Sequence, residues 1–219
     1  MLAKELITEV TQVDVEDTLK EAKDLITELC VCDLPVLRGK HFVGILPGQN
    51  VLNAHDTGQK LADLREEFLN IFINENQHLL DVLYVSGLQE SSLIPVNNEK
   101  NEYLGSIKLQ DLVREISNFY NFNHPGGIIT LEMSDKDYQL SEISRIVESE
   151  QGKVLNLLTS FNADASKFFV TLKLNHQDIQ NIAATFERFG YKVTLYNEDH
   201  FEFNDLKERY DYLMRFIDI

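Results

Sequence analysis

Apolar and polar positions in the first part of the chain alternate with a helical period and then with strand-like runs. Apolar residues three or four apart mark one face of a helix: Leu19, Ala22, Leu25, Ile26 and Leu29. Thr18 and Glu21 have the spacing of a capping box and predict where this helix begins. Two apolar stretches follow at 34–37 and 42–46, and they predict a pair of strands joined by a tight turn at 38–41.

The same order is then written a second time. A helical run and two apolar stretches recur at 79–83, 93–96 and 103–107. Leu34-Pro35-Val36 precedes Gly44 by nine residues counted from the Pro, and Ile94-Pro95-Val96 precedes Gly105 by ten. Such duplication predicts two copies of one supersecondary unit, which pack on each other and leave a cleft at their seam. Between them, apolar residues at 61–68 predict a linker containing a helix.

The second part of the chain has a different pattern of apolar and polar residues. A Pro and two glycines at 123–127 break the preceding helix, so we predict a domain boundary there. Apolar runs then predict strand, helix, strand, strand, helix and strand at 129–133, 140–147, 154–159, 168–174, 179–186 and 191–195. This βαββαβ order is ferredoxin-like. A closing helix is predicted from about residue 204, with one apolar stripe at Leu206, Tyr210, Leu213, Met214 and Ile217.

The two copies resemble cystathionine-β-synthase (CBS) domains, which combine a hydrophobic-Pro-Val strand, a hairpin, a Gly-containing strand and a second helix opened by an acidic residue. The C-terminal part resembles the ACT domain in its element order and in Gly190-Tyr191-Lys192-Val193. The domain order is also similar to that of bacterial acetoin-utilisation accessory proteins. The resemblance implies an α/β (α+β) fold with a tandem CBS-domain pair, 1–55 and 56–122, followed by a ferredoxin-like, ACT-like domain at 127–219.

In the CBS family, a nucleotide cleft is lined by the hydrophobic-Pro-Val strand and by a Gly-x-x-Thr/Ser-x-x-Asp segment. The resemblance assigns the ribose hydroxyls to Asp111, while Lys108 replaces a hydroxyl with a charge that suits phosphate. In the first copy, Pro47 has neither hydroxyl nor N–H and Asn50 is a weaker acceptor than Asp, so that cleft is expected to have lost nucleotide binding. The candidate ligand-binding residues are Ile94, Pro95, Gly105, Lys108, Asp111 and Asn50.

Each of these assignments has a structural alternative. Asp111 is equally well interpreted as a helix N-cap, and a solvated surface lysine is the favoured interpretation of Lys108. Effector-binding ACT domains usually have a glycine in the turn after their first strand, and the turn at 134–138 has none. We therefore expect packing or dimerisation of this domain rather than amino-acid binding.

Composition narrows the function classes. With 36 acidic against 20 basic side chains the formal charge is −16, which repels nucleic acid and anionic membranes alike. No apolar run is long enough for a signal peptide or a membrane span, so a cytoplasmic protein is expected. The favoured interpretation of Cys30 and Cys32 is a small buried residue at a helix end. The six histidines are scattered singly and the common catalytic motifs were not found, so neither a metal site nor an enzyme is expected.

Two functional hypotheses follow. In the first, the chain is a regulatory sensor whose second CBS cleft binds an adenine-containing ligand such as AMP, ATP or S-adenosylmethionine and signals to an unknown regulated protein. In the second, it is a ligand-independent dimerisation or assembly protein with degenerate clefts. A homodimer is expected in either case, and the second hypothesis predicts that charges introduced at Tyr210 and Met214 disrupt it.

Overall fold

The structure is a computed structural model that describes residues 1–54, 58–88, 90–162 and 167–196. The chain divides into two compact units, Met1–Ile116 and Ser117–Ile219, which we call the N-terminal and the C-terminal unit. The closing helix predicted from residue 204, with Tyr210 and Met214, lies outside the described residues. The predicted domain limits at 55, 122 and 127 stay a prediction.

The N-terminal unit contains two repeats with one element order. The first repeat consists of β1 (Val13–Asp14), α1 (Leu19–Leu29), β2 (Asp33–Arg38), β3 (His41–Pro47) and α2 (Gly48–Asn53). The second consists of β4 (Ile73–Asn74), α3 (Leu79–Ser86), β5 (Leu93–Asn97), β6 (Tyr103–Lys108) and α4 (Leu109–Phe119). Short 3-10 helices at Ala3–Glu5 and Leu61–Glu67 precede the repeats, and the second of these is the helix predicted in the linker. The predicted duplication is confirmed.

Each repeat builds a three-stranded sheet in which a short parallel strand and an antiparallel strand flank the Pro-containing strand. Val36 pairs with Gly44 and Val96 with Gly105, and a bulge follows the Val in both repeats. The short parallel strands begin to pair at the residue after the Pro. A Pro has no N–H to donate. Because the parallel pairing begins one residue later, no N–H is needed from the Pro toward the short parallel strand.

Local sequence signals fix the helix ends of the first repeat. The Thr18 hydroxyl accepts from the Glu21 N–H at 3.3 Å and the Glu21 carboxylate accepts from the Thr18 N–H at 2.7 Å, which is the predicted capping box. Helix α1 ends where Cys30 adopts a left-handed conformation with φ of 52°. Cys30 and Cys32 are both exposed free thiols, so the interpretation of a buried cysteine at the helix end was wrong. The turn after the helix directs both residues away from the core.

The two repeats meet through one apolar cluster. Its buried members are Leu37, Phe42, Ile45, Ile71 and Leu93. Phe42 and Tyr103 lie at equivalent positions of β3 and β6, two residues before Gly44 and Gly105, and their rings stack with centroids 6.4 Å apart. The hairpins also touch, since the Tyr103 N–H donates to the Lys40 carbonyl at 2.9 Å. The repeats therefore pack face to face through matching positions, as the duplication predicted.

The C-terminal unit has the predicted βαββαβ order. Its elements are β7 (Ile128–Met133), α5 (Leu140–Ser149), β8 (Val154–Asn162), β9 (Lys167–Leu174), α6 (Gln180–Arg188) and β10 (Lys192–Tyr196). They form an antiparallel sheet in the order β10-β7-β9-β8. Helices α5 and α6 cover one face, with Ile143 and Phe186 fully buried against it. The mixed α/β fold expected from the sequence is confirmed.

Candidate functional site

The segments that precede the two repeats exchange places. The Ala3 N–H donates to the Gln77 carbonyl at 2.9 Å, so the start of the chain closes the second repeat. The Leu61 N–H donates to the Asp17 carbonyl at 3.0 Å, so the linker closes the first repeat in the equivalent way. Each repeat is thus completed by the segment that leads into the other.

The two motif glycines lie beneath the exchanged segments. Gly105 has φ of 145°, and a Cβ there would overlap Cγ2 of Ile7. Gly44 is its counterpart, where a Cβ would come within 2.7 Å of Cβ of Phe68. The glycines are needed because another chain segment crosses directly over them, and Gly105 also adopts a backbone conformation that favours glycine. Their first role is therefore close packing between the repeats and the exchanged segments.

A cavity of about 490 Å³ opens where the two repeats meet, and we call it the seam cavity. Its lining residues are Val10, 29–33, Ser92, Leu93 and 108–110. The first repeat contributes the turn between α1 and β2, and the second contributes the junction between β6 and α4. Lys108 is exposed at its mouth, immediately before the first residue of α4. The cavity thus combines an apolar wall, a lysine and the N-terminal end of a helix.

Asp33 connects the two sides of the seam cavity, and the sequence interpretation missed it. Its buried carboxylate accepts from the Ser92 N–H at 2.7 Å, from the Ser92 hydroxyl at 2.6 Å and from the Ser91 hydroxyl at 3.3 Å. The Ser92 carbonyl in turn accepts from the Leu109 N–H at 3.0 Å. A continuous path of hydrogen bonds therefore runs from β2 of the first repeat to the start of α4 in the second.

A signal for Asp33 existed in the sequence. An acidic residue at the first position of an otherwise buried apolar strand needs donors from elsewhere in the fold. The second repeat has Leu93 at the equivalent position, so comparing the two copies residue by residue would have singled out Asp33.

Asp111 does not stand at the helix N-cap that we considered for it. It is the third residue of α4, and its Oδ1 lies 2.6 Å from Nη2 of Arg114 in the next turn. The pair is partly exposed at the arginine, so it adds little to stability. Asp111 is not among the residues that line the seam cavity, although it lies three residues after Lys108.

The other predicted site residues lie in separate places. Gly105 borders a second cavity of about 750 Å³, together with Glu9 and Tyr103. Asn50 borders a third, of about 430 Å³, together with Glu67. Ile94 and Pro95 are buried within β5. The structure therefore brings no two of the six candidate residues into one cavity lining among the described cavities.

The electrostatic character of the three cavities differs. Among the described residues that line them, Lys108 is the one lysine or arginine, and it shares the seam cavity with the Asp33 carboxylate, which accepts three hydrogen bonds. Glu9 and Glu67 place carboxylates on the other two cavities, whose described linings have no lysine or arginine. Burial raises the pKa of the Tyr103 phenol, opposed by its hydrogen bond with the Ser106 hydroxyl at 2.8 Å. Tyr103 therefore stays neutral and adds no charge to the second cavity. An anionic ligand is favoured at the seam cavity over the other two.

Metal ligands and membrane spans were also sought in the described residues. There, no three His, Cys, Asp or Glu side chains come together as a group that could hold a metal ion. In the same ranges, none of the helices combines the length and the apolar character needed to cross a bilayer.

Known proteins were compared with the chain. No protein-family model and no curated protein matches it. Among solved structures, it is similar to a CBS domain pair/ACT domain protein from Thermotoga maritima, with 16% identity over 54% of this chain and 98% of that chain and a TM-score of 0.49. It is also similar to the CBS domains of a transcriptional regulator from Streptococcus pneumoniae, with 14% identity over 52% and 98% of the two chains and a TM-score of 0.46.

A third similar structure is CBSX2 in complex with AMP, with 15% identity over 54% of this chain and 97% of that chain and a TM-score of 0.44. The first two of these structures contain CBS domains. At such identities a likeness concerns the fold, and ligand chemistry depends on the residues of this chain. The resemblance to acetoin-utilisation proteins and the ACT character of the C-terminal unit stay predictions.

Proposed function

We propose that the N-terminal unit is a regulatory module in which an adenine-containing nucleotide binds the seam cavity and changes how the two repeats pack. The observation that carries this proposal is that one cavity is lined by both repeats and has Lys108 at its mouth. A ligand held there touches both repeats at once. The role is regulatory rather than catalytic, because binding acts on the packing of the repeats.

The seam cavity offers complementary chemistry for the two ends of a nucleotide. Its apolar side chains, with Val31 and Leu93 among them, suit the faces of a purine. The Lys108 ammonium, next to the positive end of the α4 dipole, suits phosphate. Lys108 matters all the more because the chain carries a formal charge of −16 that opposes an anionic ligand. The proposal also keeps the contact between Asp111 and the ribose hydroxyls. Because Asp111 does not line the seam cavity, this contact requires its carboxylate to leave Arg114 and turn toward the ligand.

The regulatory step follows from the hydrogen-bond path through Asp33. A phosphate that binds beside Lys108 acts on the start of α4, and the Leu109 N–H is linked through Ser92 to Asp33 of the first repeat. A ligand shifts a conformational equilibrium only by its difference in affinity for the two conformations. The nucleotide must therefore bind one packing of the repeats more tightly than another.

Isothermal titration calorimetry of the full chain with AMP, ATP and S-adenosylmethionine tests the proposal. We expect saturable binding of at least one of them. Lys108→Ala should lower the affinity about 10-fold or more, because a hydrogen bond to a charged group contributes about 1.5 kcal/mol or more. Lys100→Ala is the matched control, because it removes an equal charge from the exposed tip of the same hairpin. Affinity unchanged by Lys108→Ala, or reduced equally by both variants, would remove the seam cavity as the site.

Asp111→Ala separates the two site predictions. A loss of affinity in Asp111→Ala for all three ligands, each of which has a ribose, would support its contact with the ribose hydroxyls. Binding that depends on Lys108 but not on Asp111 would keep the seam cavity and reject the ribose role.

A further inference from the structure

Both cysteines of the chain line the seam cavity. The sequence has two of them, Cys30 and Cys32, and both are free and exposed. They belong to the turn between α1 and β2, whereas Lys108 lies on the side that the second repeat contributes. An accessible thiol that borders a cavity can react with a small molecule that enters it. The thiol chemistry of this chain is therefore concentrated where the two repeats meet.

The backbone at Cys32 is held on both sides. Its carbonyl accepts from the N–H of Gly48, the first residue of α2, at 2.7 Å. A Cβ at Gly48 would overlap the same carbonyl oxygen, so α2 packs directly on the Cys32 backbone. The next residue is Asp33, whose carboxylate accepts from Ser92 of the second repeat. Because the backbone cannot move away without breaking these contacts, a group attached to the Cys32 thiol must occupy the seam cavity.

The second repeat has the same arrangement with a different side chain. Ser92 lies at the position equivalent to Cys32, and its carbonyl accepts from the Leu109 N–H at the start of α4. The Ser92 hydroxyl donates to Asp33 at 2.6 Å, so this side chain is part of the contact between the repeats. The Cys32 thiol, in contrast, is exposed on the cavity. The backbone of a repeat accepts serine at this position, so the fold does not require a thiol there.

We propose that Cys32 is a site of covalent modification by an acidic low-molecular-weight disulfide, and that the resulting mixed disulfide fills the seam cavity and loosens the contact between the repeats. The Cys32 thiolate attacks one sulfur of the reagent, so a new S–S bond forms at Sγ and the S–S bond of the reagent breaks. The other half leaves as a thiolate and takes up the proton that the Cys32 thiol released. Because one S–S bond replaces another, no further oxidant is needed.

Charge at the seam cavity favours an acidic reagent. The formal charge of −16 repels anions from the chain as a whole. Lys108 is exposed at the mouth of the cavity and is the one lysine or arginine among the described residues that line it. Asp33 lines the same cavity but is only 7% exposed, so the charge that an entering reagent meets is that of Lys108. The carboxylates of the reagent are therefore attracted to the cavity that contains the thiol.

Glutathione disulfide is the probe, and the neutral bis(2-hydroxyethyl) disulfide is the matched reagent. Mass spectrometry follows their reaction with the full chain carrying Cys30→Ser, which leaves Cys32 as the only thiol. Adding Lys108→Ala should slow glutathione disulfide about 5-fold at low salt, which is the effect of one unit charge at close range in water, and leave the neutral reagent unchanged. Lys100→Ala should slow neither. No mixed disulfide at Cys32, or equal slowing of both reagents by Lys108→Ala, would overturn the proposal.

Amide hydrogen exchange tests the structural consequence. The mixed disulfide on Cys32 should reduce protection at Gly48 and Leu109 about 5-fold or more, the lower end of typical coupling between sites. The same group on Cys30, in the Cys32→Ser chain, is the matched control, because Cys30 ends α1 and its Sγ donates to the Thr27 carbonyl of that helix at 3.8 Å. Circular dichroism establishes that both variants are folded. Unchanged protection at both amides, or an equal loss from either cysteine, would overturn the inference.

Competition with a nucleotide is a separate measurement, and it rests on the proposed function. A nucleotide that binds the seam cavity should protect Cys32 from glutathione disulfide, and the chain modified at Cys32 should lose its affinity for that nucleotide. If AMP, ATP and S-adenosylmethionine all fail to bind the unmodified chain, the proposed function is rejected, and the reaction and exchange measurements decide the present inference. A nucleotide that binds the modified chain equally well would contradict the filling of the cavity.

Discussion

Removing the Asp33 carboxylate should destabilise the N-terminal unit and loosen the start of α4. The two short hydrogen bonds from Ser92 end on a charged acceptor, and such bonds contribute about 1.5–3 kcal/mol each. The third, from Ser91 at 3.3 Å, adds less. Because Asp33 is only 7% exposed, its removal also relieves the cost of burying a carboxylate, which offsets part of the loss. We therefore expect Asp33→Ala to cost about 2–3 kcal/mol.

The effect should be graded between variants. Asp33→Asn keeps the shape of the side chain, and its amide oxygen can take the place of Oδ2, the one carboxylate oxygen on which all three donors end. The bonds then end on a neutral acceptor and weaken, so we expect a loss of about 1–2 kcal/mol. Ser91→Ala serves as the control, because it leaves both Ser92 bonds in place. It removes the longest of the three bonds together with the bond that the Ser91 hydroxyl donates to the Leu93 carbonyl at 2.9 Å, so we expect a loss of about 1 kcal/mol. With a slope of about 2 kcal/mol per molar urea, Asp33→Ala should lower the unfolding midpoint by about 1–1.5 M.

Amide hydrogen exchange is the decisive assay, because two compact units need not unfold in one step and a single melting curve would mix them. Asp33→Ala should reduce protection at Ser92 and at Leu109, which lie along the hydrogen-bond path, while peptides of the C-terminal unit keep theirs. Unchanged protection at Leu109 together with a loss below about 0.5 kcal/mol would refute the coupling. A loss spread evenly over both units would refute its location.

Two further predictions concern the glycines and the C-terminal unit. Gly105→Ala combines an unfavourable φ of 145° with overlap against Ile7, so it should lower the free energy of unfolding in urea by about 2–4 kcal/mol. Gly39→Ala is the control, since Gly39 has φ of 63° but open space around it, and its expected loss is about 1 kcal/mol. Equal losses in the two variants would contradict the role of the crossing segment. Burial, and to a smaller extent the hydrogen bond to Glu142, raises the pKa of the Tyr191 phenol to about 12. The neutral phenol of Tyr191 therefore contributes fully to folding stability below its unfolded pKa of 10, and this contribution is lost as the pH rises through about 12. Tyr191→Phe should therefore flatten stability against pH in that window, and an unchanged slope would contradict the shift.

The sequence predicted what is local and periodic. The capping box at Thr18 and the repeated hydrophobic-Pro-Val strands depend on neighbours within a few residues, and the structure has them where the pattern placed them. The exchange of the leading segments was not predictable in this way. Ala3 bonds to Gln77 through backbone atoms, and such a contact between distant residues leaves no period in the side chains.

The candidate site was predicted less well for the same reason. The resemblance to CBS domains assigned Lys108 and Asp111 to one cleft. In the structure Asp111 pairs with Arg114 on α4, while Lys108 lies at the seam cavity. A motif read along one strand and helix says which residues are near in sequence. It does not say which wall of a cavity comes from the other repeat, and here that wall carries Asp33.

Differences between equivalent positions carry the functional information in this chain. Asp33 pairs with Pro47 in the first repeat, and Leu93 pairs with Lys108 at the equivalent place in the second. The two pairs therefore occupy the same position in two repeats with the same backbone arrangement. The backbone accepts either set, so neither Asp33 nor Lys108 is required by the fold of its own repeat. Yet both charged residues line the seam cavity, one from each repeat. An asymmetric pair of charges at the junction of two similar repeats gives the seam cavity a polarity that the duplicated backbone lacks, and this is why we place ligand recognition there.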